Sequence, residues 1–333
     1  MRVIRVLLII LSTFIFITSC TSNNENEIWI YTSLYKDTIA DLKPLLEKDF
    51  PGVTVQFYQA GSEEIAAKVN AEILAGGTKA DILISSDRFW YEEMAAYEKL
   101  EAYNTERVKQ IPSQFRHKDG LYNTLSIPVM VLAYNGETYS SKTAPKTFKE
   151  MIDGKWNGKF STGSPLASGT NFTTVAFLSK TYGWDFFKKL QNNGTISEGG
   201  NSAVLRRIQS KERPVGWVLL ENLLRFQGKD KRLKTVFPQD GVVIHNNVLA
   251  LTRKKGDRSK VKAIADWMFD KKGQDIMVKS YMYSPFVDHA APKGAPPFKE
   301  IQKKAFPWTT DFVSYVVNNR EKIKEDFSEI MFN

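Results

Sequence analysis

Ser168-Gly169-Thr170-Asn171 carries the clearest chemical possibilities in this chain. Two hydroxyls flank a glycine that permits close approach to the backbone, where a short strand pattern gives way to a helical one. Free N–H groups at a helix start, joined by hydroxyls, suit a phosphate or a similar anion. The same residues also read as a plain helix start capped by Ser168 or Thr170. Similar groups stand at other segment ends. Ser33 and Tyr35 follow Ile28–Thr32, Ser62 follows Val53–Phe57 at a helix start, and Ser86 and Asp87 follow Ala80–Ile84. Asn201 follows Glu198-Gly199-Gly200, Glu221 ends Val215–Leu220, and His245-Asn246 falls between two late apolar runs. Serines and the threonine would hold an anion. Glu221, His245, Asn246 and Asp87 would hold ligand hydroxyls, and an aromatic such as Tyr35 or Trp90 would stack on a ring. Each also has a plainer reading: Ser33 closes a turn, Ser62, Asp87 and Asn201 cap helices, and His245 is structural.

The elements that must position these residues alternate. Strands are predicted at Ile28–Thr32, Val53–Phe57 and Ala80–Ile84, with helices over Asp37–Asp49 and Ser62–Ala75 between them. Such βαβαβ order argues for a parallel sheet covered by helices. Ile127–Asn135 reads as one long apolar strand, suited to a crossover between lobes. A second series follows with strands near 158–161, 195–197 and 215–220 and helices after Ser168, over 184–190 and over 202–209. Val242–Ile244 and Asn247–Thr252 look like a return strand, and the last part of the chain is helical, with Val261–Tyr281 its clearest element. Ligands in open α/β sheets bind beyond the carboxyl ends of strands, which is where the polar residues above fall.

The 333 residues carry a formal charge of +9, or +7 without Arg2 and Arg5. That balance is compatible with an anionic ligand but does not require one. No basic stripe interleaved with aromatics is present, which argues against nucleic acid. There is no Gly-x-Ser-x-Gly elbow, His-Glu-x-x-His or phosphate loop, so an enzyme is not indicated. The single cysteine is Cys20. It excludes an intrachain disulfide and a zinc-thiolate cluster.

Met1 to Ile17 has two arginines and a short apolar run, as a signal peptide does, and Ile17-Thr18-Ser19-Cys20 resembles the lipobox of bacterial lipoproteins. The resemblance implies cleavage after residue 19, a lipidated Cys20, a polar tether over 20–27 and a membrane held through lipid alone. The later chain resembles the extracellular solute-binding proteins of bacterial ABC importers, in the branch that holds ferric-iron, phosphonate and hexose-phosphate binders. Ile28–Ser33, Ala80–Leu83, Ile127-Pro128-Val129 to Tyr134-Asn135, and Pro165–Thr170 carry that likeness. It implies a two-lobed α/β fold of the type II periplasmic-binding-protein kind, each lobe a mixed sheet flanked by helices. Lobe one would comprise 28–126 and 246–333, lobe two 127–245, with hinges near Ser126–Leu132 and Asp240–Ala250. It further implies a monomer that captures a small anionic molecule between the lobes and delivers it to a permease with its ATPase, without cofactor or catalysis. Iron-binding relatives supply adjacent tyrosines late in lobe two; here that stretch reads Gly216–Asn222 without a tyrosine. A ligand bringing its own phosphate, above all a hexose phosphate, is therefore expected, with 2-aminoethylphosphonate and ferric iron as alternatives.

Overall fold

The computed structural model describes residues 26–333; the leader, Cys20 and most of the tether lie outside the described residues. The first lobe is built from β1 (Glu27–Thr32), α1 (Lys36–Asp49), β2 (Thr54–Gln59), α2 (Ser62–Leu74), β3 (Ile82–Ser85), α3 (Arg88–Ala96), β4 (Leu100–Glu101) and β5 (Asn123–Ser126). β1 pairs in parallel with both β2 and β3. Alternation along β1 sends Ile28 and Ile30 into one apolar cluster and Tyr31 into another on the opposite face. A sheet covered on both sides needs apolar residues at both phases, which explains the nearly continuous apolar strands.

The second lobe contains β6 (Val129–Asn135), β7 (Phe160–Thr162), α4 (Gly169–Tyr182), α5 (Trp184–Asn192), β8 (Ile196–Ser197), α6 (Asn201–Ser210), β9 (Val215–Leu219), α7 (Leu220–Gln227), β10 (Leu233–Val236) and β11 (Val243–Ile244). Its sheet runs β10-β6-β9-β7-β8, with β11 also on β6. The chain then returns through β12 (Asn247–Thr252), antiparallel to β3, β4 and β5. Two six-stranded mixed sheets result. The remaining helices used below are α8 (Ser259–Phe269), α9 (Lys271–Lys279) and α10 (Thr310–Phe332).

Two departures from the sequence reading have local causes. The strand expected over 127–135 is divided: Ile127 bridges to Tyr283, and β6 begins only after Pro128. Proline lacks the N–H a ladder needs, so the chain changes sheets there. The helix expected over 261–281 breaks at Asp270, whose extended backbone (φ −74°, ψ 172°) separates α8 from α9. α10 packs against both lobes, lying on α3 of lobe one and on α4 and α5 of lobe two. Its Phe312, Val316, Ile323 and Phe327 join the second lobe's cluster, with Phe312 stacked 3.8 Å from Phe177 and Phe327 edge-on to Phe187. Phe89 of α3 enters the same cluster, so α10 sits where the lobes meet.

Candidate functional site at the lobe interface

Between the two sheets lies a cavity of about 210 Å³. The sequence brings residues to it from strand ends and helix starts on both sides. Lobe one contributes Ser33 and Tyr35 after β1, Ser62 at the start of α2 and Ser86 after β3. Lobe two contributes Ser168 and Thr170 at the start of α4, Asn201 at the start of α6 and Glu221 at the start of α7.

The hydroxyls are already arranged among themselves. Ser62 and Ser86 are 2.8 Å apart, and Ser168 and Thr170 are 3.0 Å apart. Asn201 Nδ2 donates to Thr170 Oγ1 at 3.0 Å. Five helices begin at this cavity. α1, α2, α6 and α7 have no side-chain cap on their first turns; their cap positions are Tyr35, Gly61, Gly200 and Leu219. α4 alone is capped, by Ser168 accepting from Asn171 N at 3.4 Å. Uncapped first-turn N–H groups together with helix dipoles favour negative charge. None of the lining residues is Lys, Arg or His.

Glu221 is the one carboxylic acid in the lining. Burial pushes its carboxyl up to about 8, although the backbone N–H groups of Glu221 itself and Val129 and the charge of Arg225 oppose the shift. At neutral pH it is mainly protonated, so it accepts and donates hydrogen bonds without bringing a full negative charge.

The lobes are closed on each other. Tyr35 Oη donates to Asn222 Oδ1 at 2.5 Å, and Arg225 pairs with Asp37 at 3.0 Å across the same edge. A Cβ on Gly61 would stand 2.8 Å from the Ala167 carbonyl oxygen. A Cβ on Gly169 would stand 2.8 Å from Asp87 Cβ and 2.9 Å from Asp87 N. Glycine at these positions permits the approach.

Five sequence-selected residues lie outside the lining, each for a visible reason. Asp87 is fully buried, accepts from the N–H groups of Phe89 and Trp90, and pairs with Arg320. Gly169 makes the lobe contact just described. Asn171 is turned into lobe two, where its Oδ1 accepts from Trp217 Nε1 at 3.2 Å. His245 is fully buried with neither ring nitrogen partnered, while its backbone N–H donates to Pro128 O at 2.9 Å. Asn246 accepts from Thr124 Oγ1 at 3.1 Å. His245 and Asn246 therefore belong to the return crossover. Trp90 is also absent from the lining; its Nε1 donates to Asn70 at 3.1 Å.

Gln59, Gly61, Ser202, Asn247 and Met282 line the cavity but did not stand out in the sequence. Gln59 and Gly61 follow the rule for strand ends and could have been found from it. Asn247 is one residue beyond the selected Asn246, and a shift of one residue in a strand reverses the face. Met282 arrives from a distant turn and has no local signal.

His245 has a measurable consequence. Burial lowers its pKa to about 3 from the ordinary histidine value of 6.5. The unfolded chain therefore takes up this proton first, and stability is lost as pH falls from about 6.5 towards 3. By pH 4.5 the loss is about 2–3 kcal/mol. His245→Leu is expected to remove this slope and place no unpartnered nitrogen in the crossover. Urea midpoints at pH 7 and 4.5 check it; an unchanged pH dependence would contradict it.

A larger depression of about 780 Å³ lies on lobe one beside Arg107, Lys271, Lys272 and Asp288. Its charges are engaged in Arg107–Asp288, Lys271–Asp275 and Lys272–Asp49 pairs.

Two α/β lobes joined by short crossovers, with polar strand ends and helix starts around an interlobe cavity, define a binding protein of the two-lobed periplasmic type. The chain belongs to the bacterial extracellular solute-binding protein family, which matches residues 77–311. The fold is that of the branch expected from the sequence. The periplasmic binding protein AfuA from Actinobacillus pleuropneumoniae, solved with fructose-6-phosphate, superposes with a TM-score of 0.80 at 20% identity, covering 92% of this chain and 98% of that one. Iron-bound HitA from Pseudomonas aeruginosa does so with a TM-score of 0.79 at 16% identity, covering 90% and 99%. A Salmonella typhimurium protein provisionally named as a 2-aminoethylphosphonate-binding periplasmic protein is 31% identical over 148 residues, 43% of this chain and 41% of that one. Those alignments establish the fold across relatives whose names carry different ligands.

Proposed function

We propose that this chain is the binding component of an ABC importer and captures a small phosphate-bearing molecule, a hexose phosphate in particular, between its lobes. The observation that carries the reading is the convergence of helix N-termini and serine and threonine hydroxyls on a cavity without a cationic side chain. Such a cradle binds an anion through dipoles and hydrogen bonds. The protonated Glu221, with Gln59 and Asn247, suits the uncharged hydroxyls of a sugar. Ligand held by both lobes favours the closed state, which the permease and its ATPase would then receive. Cys20 would hold the protein at the membrane through lipid.

Glu221 also supports a second reading. An ammonium group beside it would favour the ionised carboxylate, as in 2-aminoethylphosphonate. Calorimetric titration with fructose 6-phosphate, 2-aminoethylphosphonate and Fe(III) tests both, run in buffers of different ionisation enthalpy. The sugar phosphate is expected to bind without proton release from Glu221, whereas the aminophosphonate would release one. Glu221→Gln should leave sugar-phosphate affinity within about three-fold and weaken the aminophosphonate at least ~30-fold. Exclusive binding of Fe(III) would contradict the proposal. Iron is poorly served here: among the described residues no group of three His, Cys, Asp or Glu comes together. The Tyr35 phenol is engaged by Asn222, and the Tyr283 phenol donates to Pro296 O at 2.7 Å.

A further inference from the structure

Arg320 lies on α10, far along the chain from every residue of the cavity. A kink at Asn319 (φ −123°, ψ 16°) interrupts the helix immediately before it. Asn319 Nδ2 donates to Tyr315 O at 2.8 Å within the preceding turn. The next side chain turns inward and is 7% exposed. Arg320 Nε and Nη2 donate to Asp87 Oδ2 at 3.0 and 2.5 Å. Nη2 also donates to both oxygens of Glu63, at 3.1 and 2.9 Å, while Lys324 meets Glu63 at 2.6 Å.

The position of these two carboxylates gives the contact its meaning. Glu63 follows Ser62 and Asp87 follows Ser86, the hydrogen-bonded pair on the cavity wall. Asp87 also caps α3 and abuts Gly169 at the start of α4. One guanidinium therefore touches the starts of α2 and α3 and, through Asp87, the lobe-two anion loop. A buried carboxylate one residue from an anion cradle would repel the ligand if it were left without a partner.

We propose that Arg320 is a positioning residue for the ligand cradle: it neutralises Asp87 and Glu63 behind the serine pair and fixes the helix starts that present Ser62 and Ser86. The inference rests on the phosphate-bearing-ligand reading for its effect on affinity. Its effect on the helix starts is independent of the ligand. Glu63 retains Lys324 when Arg320 is lost, so Asp87 is the carboxylate left exposed to the change.

The test compares the wild-type chain, Arg320→Gln, and Arg320→Gln combined with Asp87→Asn. Asparagine preserves the cap on α3 while removing its charge. Fructose 6-phosphate, 2-aminoethylphosphonate and inorganic phosphate serve as calorimetric probes. Amide hydrogen exchange is followed without ligand over residues 62–66 and 87–91. Arg320→Gln is expected to weaken the best probe about 30-fold, and the double variant to recover to within about three-fold of wild type. Exchange at both helix starts should rise in Arg320→Gln. Wild-type affinity in Arg320→Gln, or no recovery in the double variant, would overturn the neutralising role. A wild-type chain that ignores all three probes would refute the ligand reading, and the exchange result would then decide the positioning role alone. Unchanged exchange would overturn that as well.

Discussion

Gly169→Ala is expected to weaken ligand binding roughly a hundred-fold and to abolish compaction on binding. The added methyl would meet Asp87 Cβ at 2.8 Å, Asp87 N at 2.9 Å and Asp87 Cα at 3.1 Å. None of these is the free end of a flexible side chain, and Asp87 is further held by Arg320 and by its cap on α3. The backbone of Gly169 is ordinary helix start, so alanine itself introduces no conformational strain there. Gly169 belongs to lobe two and Asp87 to lobe one, so the collision is one between the lobes. Opening relieves it, so thermal stability without ligand should change little while the closed state loses population. Small-angle scattering with and without saturating fructose 6-phosphate, alongside calorimetry, measures both effects. Wild-type compaction in Gly169→Ala would show that the lobe contact is not required for closure.

Ser168→Ala combined with Thr170→Val is expected to have the second large effect. Each hydroxyl directed at a phosphate contributes on the order of 1.5–3 kcal/mol as a charge-assisted bond. Losing both should therefore weaken binding by roughly two to four orders of magnitude. The substitution also removes the α4 cap and leaves Asn201 Nδ2 without its Thr170 acceptor. Loss of a cap costs about 1 kcal/mol of stability, so the melting temperature should fall modestly while affinity collapses. An unchanged affinity for the wild-type ligand would show that the anion is held elsewhere.

The strand-and-helix alternation was legible because both lobes are regular α/β units whose buried strands carry continuous apolar runs. Ser33, Ser62, Ser86, Ser168, Thr170 and Glu221 could be selected because strand ends and helix starts face the interlobe cavity in such sheets. The same rule selected Asp87 and His245, whose neighbours are set by tertiary contact. Asp87 turns from the cavity to Arg320, more than 200 residues later in the chain. His245 is enclosed where two crossovers run side by side. The placement of α10 was illegible for a related reason. Its apolar residues announce a buried face but do not say that both lobes share it, with Phe89 of lobe one on one side and Phe177 and Phe187 of lobe two on the other.

Native mass spectrometry of the protein exposed to a bacterial metabolite extract tests the central claim most directly. A single adduct is expected, with an accurate mass that contains phosphorus, and it should be lost when Ser168 and Thr170 are replaced together. A retained iron ion, a phosphorus-free adduct, or a bare spectrum in an extract shown to contain sugar phosphates and phosphonates would contradict it.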